Sequence, residues 1–272
     1  MEGQKLWKAC DNGNVEEVIK LLQNEQININ WQNQDDYDST PFYRACKKGH
    51  IEIVKLLLND ERVDINKAAN DGETPFWIAS SWGQIEIVKL LLNDKRVDIT
   101  QADSYSQTPF HNVCRDGRIE IVKLLLGDNR VDINKANKNG ITPFRSACYD
   151  GHIETVKLLL NDQRVDVTKA DNGGYTPFHS ACEKGHIEIM KLLLNDSRID
   201  INKVSIHGRT PFFLACFYGR TEVVKYLLES GREIDINKKD NDGKTGLDYA
   251  KEIGKTDLVK LIESFQMKIE KK

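Results

Sequence analysis

Six cysteines and six histidines carry the most obvious chemistry in this chain. Thiolates spaced as CxxC would hold zinc, and a cysteine or serine beside a histidine would make a nucleophile. The cysteines are Cys10, Cys46, Cys114, Cys148, Cys182 and Cys216, and no two are close enough in sequence for a zinc cluster. From Cys46 onward each follows a Phe by four residues, and in one segment the same place is held by Ser80. A place shared by Cys and Ser is a small-residue packing slot, which predicts structural thiols in a reducing compartment. The histidines sort in the same way. His50, His152 and His186 each follow a Gly, His111 and His179 end the run Thr-Pro-Phe-His, and His207 alone stands apart. No Ser/His/Asp or Cys/His set remains once that pattern is removed, and there is no GxxxxGK or strand-linked GxGxxG to cradle phosphate. Neither a catalytic residue, a metal ligand nor a cofactor site is expected.

The pattern that absorbs these residues is a repeat. Thr-Pro recurs at Thr40, Thr74, Thr108, Thr142, Thr176 and Thr210, always 34 residues apart, and Thr245-Gly246 follows after 35. Gly13, Gly49, Gly83, Gly117, Gly151, Gly185, Gly219 and Gly254 give eight units by another route. These units fill all 272 residues, which predicts one domain over 1–272: a terminal unit with a long finger over 1–39, six full repeats over 40–244, and a closing unit over 245–272. With 39% hydrophobic side chains the chain can bury a core, which excludes a disordered polymer. Runs such as Leu56-Leu57-Leu58 are far too short for a membrane span. A net charge of −3 lacks the basic excess of a nucleic-acid binder. Its opening residues, Met1 to Lys8, hold no apolar stretch of the secretory type, so an intracellular and cytoplasmic setting is expected, with a nuclear one compatible.

Within a unit the residues specify a pair of helices. Thr74 can cap a helix whose first residue is Pro75, where the missing N–H costs nothing. Phe76, Ala79 and Ser80 fall on one face, and Gly83 stops the helix in a left-handed conformation. A second helix over Ile85 to Leu92 carries a wide apolar stripe of Ile87, Val88, Leu91 and Leu92, with Glu86 and Lys89 on its wet side. Arg-Val-Asp-Ile-Asn and a polar stretch ending in Gly follow, read as a hairpin-like finger.

Thr-Pro-Phe-His at 108–111 and 176–179, Gly-His at 49–50, 151–152 and 185–186, and Ile-Val-Lys-Leu-Leu-Leu ahead of Val-Asp-Ile-Asn closely resemble the ankyrin repeat across the whole chain. The resemblance implies an all-α-dominated ankyrin-repeat α-solenoid of eight helix-turn-helix units joined by β-hairpin-like fingers. It also implies histidines that satisfy backbone or neighbouring-repeat hydrogen bonds, and a noncatalytic scaffold or adaptor that binds a partner protein on its concave groove. Three departures stand out. Units are one residue longer than the usual 33, the extra residue falling near Asn59-Asp60-Glu61-Arg62, where Asn replaces the usual Gly and is expected to take the left-handed cap. The first finger, with Trp31, Asn33, Asp35 and Tyr37, is two residues longer than the others, and the last unit loses its Pro.

Positions that do not hold neighbouring units together are where partner choice is written. At about 100° per residue from Phe76, Ala79 and Ser80 stay near the core, whereas Trp77, Ile78, Ser81 and Trp82 point away. The residue two before the closing Gly runs Asp11, Lys47, Ser81, Arg115, Tyr149, Glu183, Phe217, and the next runs Asn12, Lys48, Trp82, Asp116, Asp150, Lys184, Tyr218. The residue before Thr runs Ser39, Glu73, Gln107, Ile141, Tyr175, Arg209, Lys244. Aromatic and Arg side chains most often anchor interfaces, so the expected partner-binding residues are Tyr37, Trp77, Trp82, Tyr105, Arg115, Tyr149, Tyr175, Arg209, Phe217 and Tyr218. The expected partner is a protein, bound by a monomer, with neither nucleic acid nor membrane insertion. A narrower alternative is a methyl-lysine or histone-tail peptide reader using concave aromatics, for which Tyr175 with Ser180 and Glu73 with Ile78 form only an incomplete cage.

Overall fold

Thr-Pro opens a helix wherever it occurs, for a local reason. In the computed structural model, which describes residues 2–270, the Thr74 hydroxyl accepts the Trp77 N–H at 3.1 Å and Pro75 is the first helical residue. Thr40, Thr108, Thr142, Thr176 and Thr210 do the same for their own helices. Each hydroxyl satisfies one donor that the helix itself cannot pair. The closing Gly is needed twice over at Gly49 and Gly151. Their φ angles are +83° and +86°, and an added Cβ would lie 2.6 Å from the Gln84 side chain and 2.7 Å from the His186 ring respectively.

Sixteen α-helices follow from this grammar among the described residues, and they fall into two units, Met1–Lys138 and Asn139–Lys272. The first unit holds α1 (Glu2–Asn12), α2 (Val15–Leu22), α3 (Pro41–Lys48), α4 (Ile51–Leu58), α5 (Pro75–Ser81), α6 (Ile85–Asn93), α7 (Pro109–Arg115) and α8 (Ile119–Leu126). Here α1, α3, α5 and α7 stack in order, and α2, α4, α6 and α8 form a second row. The second unit repeats the plan with α9 (Pro143–Asp150), α11 (Pro177–Lys184), α13 (Pro211–Phe217) and α15 (Gly246–Glu252) in one row. Its other row is α10 (Ile153–Leu160), α12 (Ile187–Leu194), α14 (Thr221–Glu229) and α16 (Thr256–Glu270).

One aromatic per repeat anchors each core: Phe42, Phe76 and Phe110 in the first unit, Phe144, Phe178 and Phe212 in the second, none more than 2% exposed. Removing such a ring from water contributes roughly 2–3 kcal/mol.

The fingers are turns. Among the described residues no strand occurs, and the nearest approach to a hairpin is an isolated bridge between Asn33 and Ser39. A typical finger closes with the Ala69 N–H donating to the Glu73 carbonyl and the Gly72 N–H donating to the Ala69 carbonyl, both at 3.0 Å. Neighbouring fingers share a backbone bond at the tip, as from the Ser104 N–H to the Asp71 carbonyl at 2.7 Å. The long first finger spends its extra residues on a 3-10 turn, Gln34–Asp36, followed by Tyr37 and Asp38 at positive φ.

The second helices end differently from expectation. Asn59 has φ −82° and ψ −9°, a right-handed conformation, and Asn161 and Asn195 match it. The added residue makes a left-handed stop unnecessary, because the chain continues into an Asp-x-Arg clip. The Arg198 guanidinium is held by Asp196 at 2.6 Å and donates to the Leu160 carbonyl at 3.0 Å, capping the preceding second helix with a cation where its dipole is negative. Arg62 and Arg96 act likewise on the Leu22 and Leu58 carbonyls.

Candidate protein-interaction surface

The groups that could have done chemistry are committed to the stack. All six thiols are free and buried, and burial pushes each of them up from the ordinary cysteine range. His50 Nε2 donates to the Asp11 carbonyl at 3.1 Å, and His186 Nε2 to the Tyr149 carbonyl at 3.0 Å. A carbonyl can only accept, which assigns the proton to Nε2 in both rings. His179 donates from Nε2 to the Arg209 carbonyl and accepts the Thr176 N–H at Nδ1, each at 3.1 Å. Burial holds it down at about 4, so it is neutral with both nitrogens engaged. No group of three or more potential metal-ligating side chains occurs among the described residues.

Trp77 and Ile78 correct the helical-wheel expectation, since they are 4% and 3% exposed. The wheel considers one helix, whereas this side of α5 faces the next finger. There the Trp77 indole N–H donates to the Gln107 carbonyl at 3.1 Å. Other repeats use the same place to reach the next finger. The buried Tyr43 hydroxyl meets the Glu73 carboxylate at 3.0 Å, and Arg145 Nε donates to the Tyr175 carbonyl at 3.0 Å while pairing with Asp171 at 2.8 Å. Arg145 was not considered in the sequence reading, and its pairing could be anticipated only from the fold.

In the first unit, Tyr37, Trp82 and Tyr105 are well exposed, at 70%, 55% and 67%. The Lys47 ammonium stands 5.3 Å from the Trp82 ring centroid. Arg115 is half-buried and held by Asp116, Gln107 and Asn112 at 3.0, 2.8 and 2.6 Å, so its guanidinium is fixed by its own chain. Glu73 is half-buried, and burial together with the nearby Asp71 charge pushes its carboxyl up to about 7. A groove of about 720 Å³ runs over the second helices, lined by Ile51, Gln84, Ile85, Lys89, Glu120 and Lys123. Its charges are already paired, Lys89 with Glu86 and Lys123 with Glu120, and no convergent acid–base set faces it.

In the second unit the expected residues lie in a run of aromatic contacts. The Phe217 ring is 5.0 Å from Tyr218 and 5.1 Å from Tyr249, and the Arg209 guanidinium lies 5.2 Å from Phe217 and 5.4 Å from Phe213. Tyr175 meets His179 edge-on at 5.6 Å and His207 at 6.4 Å. The Lys184 ammonium sits 4.1 Å from the Tyr149 ring. Tyr218 is 46% exposed, whereas Tyr149, Tyr175, Arg209 and Phe217 are half-buried. Tyr249 and Asp240 escaped the sequence reading. Tyr249 sits four residues after Thr245, the place held by Ile78 and Ser180 elsewhere, so aligning the last unit on its Thr would have found it.

Stacked helix pairs with a capping Thr, a closing Gly and turn-shaped fingers define a repeat protein of the helix-pair-and-finger class. The sequence matches the family described as ankyrin repeats (3 copies) over residues 6–103, 110–205 and 198–272. The chain belongs to the ankyrin repeat family, whose members are generally protein–protein interaction modules and typically noncatalytic. A search of curated proteins returned no match. Among the described residues no helix is long and apolar enough to cross a membrane.

Proposed function

We propose that the chain is a noncatalytic scaffold or adaptor that works as a monomer and takes a partner protein on the side formed by the first helices and fingers. One observation carries this reading: core positions repeat with near monotony, whereas the half-buried and exposed positions of the same elements differ in charge, size and aromaticity. Phe recurs in the core from Phe42 to Phe212, yet the place two before the closing Gly holds Lys47, Ser81, Arg115, Tyr149, Glu183 and Phe217 in turn. Packing alone gives no reason to place Trp82, Tyr105 and Tyr218 in water, since burying large aromatics is favourable. Such side chains anchor interfaces at low entropic cost. Trp77, being buried, supports the stack and is left out of the proposed contact set. The test is cross-linking and affinity purification with wild type and a Trp82→Ala, Tyr149→Ala, Phe217→Ala triple variant of unchanged helicity. Loss of cross-linked partners is expected, and undiminished capture by the folded variant would defeat the reading.

A further inference from the structure

The place just before the capping Thr holds Ser39, Glu73 and Gln107 in the first unit and Ile141, Tyr175, Arg209 and Lys244 in the second, so its one acid, near Asp71 and Asp103, lies in the first and its cations in the second. Arg209 is organised as a receptor is. Its Nε lies 3.6 Å from Asp240 Oδ2, a carboxylate with 1% side-chain exposure, and neither of those two atoms has a hydrogen-bond partner. Phe213 and Phe217 support the guanidinium at 5.4 and 5.2 Å, and its carbonyl accepts from His179. The side chain is 24% exposed, set between the Asp240 carboxylate and the two rings. A guanidinium beside a buried carboxylate and supported on its face can offer its Nη fork to a second carboxylate.

The surroundings have the same sense. The Lys184 ammonium rests on the Tyr149 ring. Lys244 is already matched by Glu252 at 2.6 Å. Glu183, the acidic neighbour of Lys184, is half-buried, and burial raises its carboxyl from the ordinary value. Phe217 and Tyr218 offer apolar area beside the cation.

We propose that the second unit docks an acidic linear segment of a partner protein, a carboxylate side chain forked on the Arg209 Nη atoms and an adjacent bulky apolar side chain lying against Phe217 and Tyr218. This rests on the protein-binding reading and names the chemistry of its ligand. In the first unit the same place offers no cation, only Ser39, Glu73 and Gln107, so the carboxylate fork belongs to Arg209.

The full chain is used to select from a random dodecapeptide library, and the selected peptides are titrated by fluorescence anisotropy against wild type, Arg209→Lys and Lys184→Gln. Arg209→Lys keeps a cation beside Asp240, so the fold is retained, and thermal melts check this. Peptides that lose affinity on Arg209→Lys are expected to be rich in Asp and Glu with an adjacent aromatic or aliphatic residue, to weaken roughly tenfold, and to bind less tightly as salt rises. Basic or uncharged sequences among the Arg209-dependent peptides would overturn the inference. So would a selection in which no peptide depends on Arg209 or Lys184. The cross-linking result with the Trp82/Tyr149/Phe217 variant is read separately, so the broader binding reading survives or fails on its own measurement.

Discussion

Glu73 shows how a single side chain can acquire a pH response from its neighbours. It accepts a hydrogen bond from the buried Tyr43 hydroxyl, its charged neighbours are Asp71, Asp103 and Lys47, and its carboxyl rises from an ordinary 4.5 to about 7. The folded state therefore holds the proton more tightly than the unfolded chain. The stability contributed by protonated Glu73 is complete below about pH 4.5 and is lost as pH climbs through 7. Glu73→Gln keeps an acceptor for Tyr43 without the charge, so its melting temperature should gain on wild type between about pH 5 and pH 8. A difference that stays flat across that window would show that Glu73 does not titrate there. None of this is legible in sequence, because Tyr43 and Asp103 each lie 30 residues from Glu73. The thiols were legible: a Cys that trades places with Ser80 inside a strict period has little room for another role.

At the scale of elements, the first helices were readable because their signals are local. Thr, Pro and Gly act within a turn of where they sit. Thr74→Ala removes the Trp77 N–H partner in a buried setting and should cost about 1–2 kcal/mol in denaturant unfolding, whereas Thr74→Ser should cost much less. The second-helix ends were misread at Asn59 because the decisive partner of this segment, Arg62, acts on carbonyls of the previous repeat, at Leu22 and Asn24. By the same argument, Arg198→Ala should hasten amide exchange in the segment just after α10, where the Leu160 carbonyl loses its cap, and leave α14 unaffected. Equal acceleration in both places would indicate general loosening instead. Trp77 is the counterpart among the first helices: its outward direction on the wheel was sound for an isolated α5 and wrong once the Gln107 finger lay beside it.

For the molecule as a whole, contacts run from each repeat to its neighbours within a unit, so stability should be close to a sum over repeats and interfaces, with the ends least protected. Hydrogen exchange is expected to find α1 and α16 opening more readily than α5 and α11, and the reverse order would contradict nearest-neighbour coupling. Phe178→Ala, in an interior repeat, should cost about 3–5 kcal/mol through lost burial and the cavity left behind, measured by urea unfolding. The sequence by itself determined the repeat, its helix pairs and the family, because caps, stops and a 3.6-residue apolar stripe act over a few residues and recur in phase. Only the tertiary structure decided which aromatics are exposed, why an extra residue supports Arg clips, and how Arg209 is set beside the buried Asp240 carboxylate. Trp77 with Gln107, Arg62 with Leu22 and Arg209 with Asp240 are pairs about one repeat apart in the chain, whose meeting is an effect of stacking and leaves no pattern within any single repeat.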